Sequence, residues 1–224
     1  HQIAIGSRIN TALQIMPELR VDLGRAALHF GVAVDHWSNG SFQIPHLGLN
    51  FLSVSAGASF ALHPSPQNVS IIDTTAFERS HREFLVIGAI GFSETGRALN
   101  GRSPVASFVA DASWRKGHKG ALSAGIDVFN KGDLVTVNPS LADASRASLT
   151  QMGVHGGGAL LMGRAELLLQ IGAYIITPVP DDAWSYQRIG GRYRIGDHLV
   201  AGIALKTHFA SADHWEFGIG YRWN

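Results

Sequence analysis

Ala212-Asp213-His214-Trp215-Glu216-Phe217-Gly218-Ile219-Gly220-Tyr221-Arg222-Trp223 decides the fold. Trp215, Phe217, Ile219, Tyr221 and Trp223 occupy every second position, with His214, Glu216, Gly218, Gly220 and Arg222 between them. Side chains alternate across a β-strand, so the segment has one apolar and one polar face. The preceding stretch, 197–209, repeats the pattern. Leu199, Ala201, Ile203, Leu205 and Phe209 share one face with Thr207, and His198, Gly202, Lys206 and His208 share the other. In 119–129, Leu122, Ala124, Ile126 and Val128 oppose Ser123, Gly125 and Asp127. In 161–176, Leu161, Ala165, Leu167, Leu169, Ile171 and Ile175 oppose Arg164, Glu166, Gln170 and Tyr174. In 104–114, Ala106, Phe108, Ala110 and Trp114 oppose Ser107 and Asp111.

Composition narrows the setting. The 224 residues are 46% hydrophobic and 16% charged, with 26 Gly, no Cys and a net charge of +1. This is too apolar for a disordered segment and too balanced for a nucleic-acid-binding surface. Without Cys there is no disulfide framework, cysteine nucleophile or thiolate metal site. A membrane helix needs about 20 predominantly apolar residues. The best uncharged stretches, Leu47–Leu62 and Leu167–Pro180, are interrupted by polar residues or end in a Pro-rich turn. No signal-peptide pattern opens the chain at His1, which suggests a mature or trimmed form.

An apolar, charge-poor, strand-rich chain fits a membrane barrel better than a soluble sandwich. Many segments run ten residues or more, the length a tilted membrane strand requires. The polar faces carry Gly, Arg, Glu and His, as a wet lumen would. The apolar faces end in aromatics (Trp114, Tyr193, Trp215, Tyr221, Trp223), as interface girdles do. The ending Gly218-x-x-Tyr221-x-Trp223 resembles the C-terminal signal of bacterial outer-membrane barrels. The expected fold is all-β: one antiparallel transmembrane barrel of the outer-membrane type over residues 1–224, with about 12 strands.

The pattern predicts strands at 2–17, 20–38, 48–62, 82–93, 103–115, 119–130, 148–158, 161–177, 185–195, 197–209 and 212–223. Short turns such as Gly196-Asp197 belong on the periplasmic side, which places loops 39–47, 94–102, 131–147 and 178–184 outside. Segment 63–81 then falls on the periplasmic side and is long for it, which predicts a small helix there or a slip in parity. Eleven is an odd count where single-chain bacterial barrels close with an even one. It predicts one or more strands upstream of this chain.

The chemistry concentrates at 36–50. His36 and Ser38 lie two apart and continue the row Leu28, Phe30, Val32, Val34, opposite the row His29, Gly31, Ala33, Asp35. On the returning strand Asn50 leads the row Leu52, Val54, Ala56, Ala58, Phe60, and hairpin pairing brings it near His36. Polar groups on a lipid-facing row are costly and need a reason. One reason is an esterase site in which Ser38 attacks, His36 takes its proton and Asn50 fixes the imidazole tautomer. The other is an ordinary polar collar at headgroup level. No Gly-x-Ser-x-Gly elbow is present.

His36-Trp37-Ser38-Asn39-Gly40, followed by Pro45, Gly48 and Asn50, resembles the His-x-Ser-Asn motif of the PagL family of outer-membrane lipid A 3-O-deacylases. The resemblance implies that Ser38 and His36 are the catalytic pair. The family's third member is a Glu fourteen residues after the His, where this chain has Asn50. Asn39 and Gly40 match and imply oxyanion donors. His46 stands where the family has an Asn near the oxyanion. The chain also resembles a larger branch, labelled acyloxyacyl hydrolase or lipid A deacylase-like. The matching stretches are Ile5–Asn10, Tyr186–Gly190, and Lys206-Thr-His208-Phe-Ala-x-Ala-Asp213-x-x-Glu216 before the terminal Gly-x-Gly-Tyr-Arg. That branch carries Asn at the third position and further strands upstream.

Lys206, His208, Asp213, His214 and Glu216 form a second polar cluster. Lys206 and His208 share the lumen face, as do His214 and Glu216 on the next strand, and Asp213 falls in the turn. A His/His/Glu set suits a metal, but a paired lumen network is the better account, because a closed barrel must pair its interior charges. Arg164, Glu166, Arg188, Arg192, Arg194 and Arg222 are expected to join it, and His118 and His155 to be solvated. The reading is an outer-membrane hydrolase acting on an acyl ester of lipid A, the lipid anchor of lipopolysaccharide, or of a related outer-leaflet lipid. It needs no cofactor or metal and binds no nucleic acid. The alternative is a catalytically silent barrel serving as scaffold or as subunit of a protein partner in the membrane. A porin would need an open lumen.

Overall fold

The computed structural model describes residues 10–39, 48–62, 82–94, 101–180, 183–209 and 211–223. The expected helix or parity slip in 63–81 lies outside them. The chain divides into two compact units, one of residues 1–39 with 43–74 and one of residues 40–42 with 75–224.

The first unit is an open antiparallel sheet of β1 (Thr11–Ile15), β2 (Glu18–Leu23), β3 (Ala26–Ser38) and β4 (Leu49–Phe60). β3 is central, with β4 along one side and β1 and β2 end to end along the other. Pro17 has no N–H to give to a ladder, which separates β1 from β2. The chain reverses at Gly24, in the left-handed conformation (φ +76°), six residues beyond the predicted turn. The register of β3 with β4 is unbroken from Ala26↔Phe60 to Trp37↔Leu49. Each row therefore keeps its face. One face carries Leu13, Leu19, Phe30, Val32, Val34, Leu52 and Val54, all large and exposed. The other is polar and internally bonded: Asp35 accepts from Gln14 at 2.7 Å and Ser53 at 3.2 Å, and His29 bonds Glu18 and Ser59, each at 2.9 Å.

The second unit is a closed antiparallel barrel of eight strands. These are β5 (Arg82–Glu94), β6 (Arg102–Lys116), β7 (Gly120–Lys131), β8 (Thr150–Met162), β9 (Ala165–Ile176), β10 (Ser185–Ile195), β11 (Leu199–His208) and β12 (Ser211–Trp223). β12 closes onto β5 from Trp215↔Phe92 to Trp223↔Phe84. The total of twelve strands agrees with the reading of the sequence, but they are distributed over two sheets rather than one ring. Eight is an even number that closes. The expected eleven corresponds to these eight with β3, β4 and the broken strand β1/β2.

One end of the barrel has the tight turns after β6, β8 and β10, and the other has the longer connections after β5, β7 and β9 together with the short link after β11. The β8–β9 turn lies at Gly163-Arg164, not at 159–160, because Gly163 supplies the left-handed residue (φ +59°) that a two-residue hairpin requires. The connection after β7, expected as an outer loop over 131–147, holds a short helix α1 (Leu134–Val137) and two 3-10 turns. Leu134 and Leu149 pack there with Val179.

The barrel is inverted relative to a soluble protein. Ile90, Phe108, Ile126, Leu169, Ile171 and Ile219 point out and are between 45% and 72% exposed. Asp127, Lys206 and His214 point in and are wholly buried. An apolar exterior over a charged interior is the arrangement of a transmembrane β-barrel of the outer-membrane type. None of the described helices is long and apolar enough to cross a membrane.

Candidate functional site

Two polar groupings differ in position and in bonding. The first is in the open sheet. Directly opposed residues of an antiparallel pair share a face, so Leu13 and Asn50, opposite His36 on either side, flank it. All three stand on the apolar face, where His36 follows Val34. His36 Nδ1 lies 2.7 Å from Asn50 Oδ1. An amide oxygen only accepts, so Nδ1 carries the proton and Nε2 presents its lone pair. Ser38 is two residues further along the same row, opposite Thr11, and is buried.

Gly48 brings His36 and Ser38 to one spot. A Cβ built on it would lie 3.0 Å from His36 Cε1 and 3.4 Å from Ser38 Cβ. Its φ of +72° is also a conformation that side chains disfavour. The glycine thus leaves open the space beside the ring edge between the two nitrogens. Among the described residues no hydrogen bond joins the Ser38 hydroxyl to His36. Asn39 follows Ser38 and is 2% exposed. Gly40 and His46 lie outside the described residues.

The second grouping fills the barrel in three connected layers. Near the longer connections, Asp213 accepts from Lys131 at 2.7 and 2.8 Å and from Lys206 at 2.6 Å. Lys206 also lies 4.6 Å above the Phe129 ring, and His208 bonds the Tyr174 hydroxyl at 2.9 Å. His214 stands between Asp213 Oδ2 at 3.2 Å and Glu216 Oε1 at 3.6 Å. Asp213 is not in the turn. The β11–β12 register shifts between Lys206 and Thr207, leaving Asp213 as the extra residue of a bulge. A bulge re-aims side chains, and here Asp213 and His214 both face the lumen and are buried.

In the middle layer Asp127 accepts from Tyr186 and from Arg188 at 3.0 Å, and it contacts His155 at 2.7 Å. Arg188 Nε reaches Glu216 at 2.7 Å, and Arg192 reaches Asp111 at 2.8 Å. His155 is buried and bridged to carboxylates, not solvated, because the β7–β8 register turns it inward opposite Gly125. At the tight-turn end Arg194 binds Glu83 at 2.5 Å and Glu166 at 3.2 Å, and Arg222 binds Glu83 at 3.3 Å. Arg164 is in an exposed turn instead. Asp111 and Asp127 lie on the polar faces expected from the alternation, whereas Lys131, His155 and Tyr186 join the network without having been expected there. Their signal was the lumen parity of their strands. Among the described residues no group of three His, Asp or Glu side chains is arranged to hold a metal ion.

A transmembrane barrel plugged by its own ion pairs, preceded by a sheet that carries a His–Asn pair on its apolar face, defines a membrane-embedded protein rather than an open pore. A family model for the C-terminal domain of acyloxyacyl hydrolase matches residues 82–224, and the chain belongs to that family. The matched span begins at the first residue of β5, so it contains the whole barrel; His36, Ser38 and Asn50 precede it. Comparison with curated proteins gives no match. Among solved structures, a de novo designed transmembrane β-barrel is similar at 14% identity over 62% of this chain and 95% of the designed one, with a TM-score of 0.37. Two engineered variants of a porin from Rhodopseudomonas blastica are similar at 8% and 9% identity, each over 96% of this chain and 90% of theirs, with TM-scores of 0.26.

Proposed function

We propose that this protein is an acyl-ester hydrolase of the outer membrane that removes an acyl chain from lipid A or a related lipid. The observation that carries the reading is the 2.7 Å contact of His36 Nδ1 with Asn50 Oδ1 on an otherwise apolar row, with Ser38 next along it. Membership of the acyloxyacyl hydrolase family supports the reaction class. Ser38 Oγ attacks the ester carbonyl carbon while its proton passes to His36 Nε2. The tetrahedral intermediate collapses, the ester C–O bond breaks, and His36 returns the proton to the departing alcohol oxygen. Water then gives a proton to the same nitrogen and attacks the acyl-serine carbonyl; the Oγ–acyl bond breaks, Ser38 Oγ takes the proton back, and the fatty acid leaves. Asn50 holds the tautomer throughout, and Asn39, Gly40 and His46 are the candidates for stabilising the oxyanion. The lipid-facing row explains how an acyl chain reaches the serine without leaving the hydrocarbon.

An amide in the third position, where a carboxylate would balance the imidazolium, favours a second reading: a silent scaffold in the membrane. Mass spectrometry of lipid A and phospholipids from cells expressing wild type or Ser38→Ala separates the two. The hydrolase reading expects one acyl chain fewer with wild type only. Identical lipids in both strains would overturn it.

A further inference from the structure

The barrel exterior carries a site that neither the lumen network nor the serine chemistry uses. At the tight-turn end of β5, β6 and β7 there is a concavity of about 380 Å³, lined by Arg82, Trp114, Arg115, Lys116 and Leu122. This volume falls in the range of roughly 300–1,000 Å³ usual for small-ligand sites. Pairing places it on the outer face: Arg82 opposes Trp114, Trp114 opposes Leu122, and Lys116 opposes Gly120, which has no side chain to fill the space. Trp114 and Leu122 are 40% and 52% exposed. Arg115 is held by its Nε donating to Gly117 O at 2.9 Å and forms the wall. The Arg82 and Lys116 side chains make no hydrogen bond or ion pair with the described residues, and no carboxylate of a described residue lines the concavity.

Two uncommitted cations beside an indole, at the end of an apolar strand face, match one kind of occupant. An interfacial Trp sits at headgroup depth. Lys and Arg at that depth attract anionic lipid. Phe84, Phe108 and Ile126, all exposed, continue the same face toward the middle of the barrel and offer a surface for acyl chains. We infer that this concavity binds an anionic glycerophospholipid of the leaflet at the tight-turn end. The phosphate lies between Arg82 and Lys116, the glycerol lies against Trp114, and the chains run along Phe84 and Phe108. The inference rests on the barrel spanning a bilayer and is independent of the Ser38 chemistry.

The test is native mass spectrometry of the whole chain in a zwitterionic detergent. It is titrated with phosphatidylglycerol and, separately, with phosphatidylcholine of the same acyl chains. Each variant's barrel is first checked by its heat-dependent gel shift. Wild type should take up one phosphatidylglycerol at a lipid concentration about tenfold below that for phosphatidylcholine, and the double variant R82Q/K116Q should lose the preference. R82Q and K116Q alone should each lose part of it, and K119Q, which removes a neighbouring charge outside the concavity, should retain it. Equal uptake of the two lipids by wild type would overturn the assignment. So would a loss in K119Q equal to that in K116Q, or displacement of the lipid by glycerol phosphate at matched concentration.

Discussion

The closed barrel and the open sheet treat polar side chains in opposite ways. In the barrel the buried charged side chains point inward, beside a small apolar cluster of Ile87, Ala89 and Val109, and the carboxylates meet several donors. Asp127 has Tyr186, Arg188 and His155; Asp213 has Lys131 and Lys206. In the sheet the polar face behaves similarly, with Asp35 and His29 each bonded twice. His36 and Asn50 break the rule by standing on the apolar face, and the hydrogen bond between them fixes a tautomer rather than neutralising a charge. Saturated groups have their lone pairs and protons committed, so they hold structure. A histidine pinned at one nitrogen retains a base at the other. The contrast separates charge that fills a lumen from a polar pair set among exposed apolar side chains.

The contrast breaks if activity and stability fail to separate between the two regions. The largest effect expected is on catalysis. Ser38→Ala should lower ester hydrolysis by roughly 10³-fold or more while leaving the urea unfolding midpoint of the barrel in lipid vesicles unchanged. Asp127→Ala should do the reverse. It removes one of the two carboxylates that Arg188 meets and the acceptor that Tyr186 and His155 share, a loss of about 3–5 kcal/mol, read as a lower unfolding midpoint with the rate per folded molecule preserved. Asn50→Ala sharpens the picture, because it frees the His36 tautomer without touching the nucleophile. Its kcat should drop about ten- to a hundredfold, as expected for losing the hydrogen bond that orients the base, at about 1.4 kcal/mol per decade. The smallest effect belongs to Gly48→Ala. Left-handed strain of about 1 kcal/mol and a methyl 3.0 Å from His36 Cε1 should reduce kcat several-fold. Equal rates for the Gly48 variant and wild type would remove Gly48 from the site.

Much of this was legible in the chain because a strand has a period of two. The alternation of Trp215, Phe217, Ile219, Tyr221 and Trp223 sets the outer face of β12 without further information. The same rule puts His36, Ser38 and Asn50 on one row. Turn positions were less legible. Gly24 and Gly163 end their hairpins later than the periodicity suggested, since alternation continues up to the glycine that allows reversal. The strand through His155 was legible at 148–158, but its lumen face was not, because Gly156, Gly157 and Gly158 give no alternation; the pairing of His155 with Gly125 turns it inward.

The sequence by itself determined that the chain is strand, that one face of each strand is apolar, and which polar residues interrupt an apolar row. Those properties are local, fixed by the alternation of side chains along an extended backbone. Only the tertiary structure decided that eight strands close while β1–β4 form their own sheet. It also decided that Asp213 turns inward through a bulge, and that Asp127, Arg188 and Glu216 meet across the lumen. These depend on which strands pair and in what register. Backbone hydrogen bonds are nearly the same for every pairing, so the choice is made by side chains far apart in the chain.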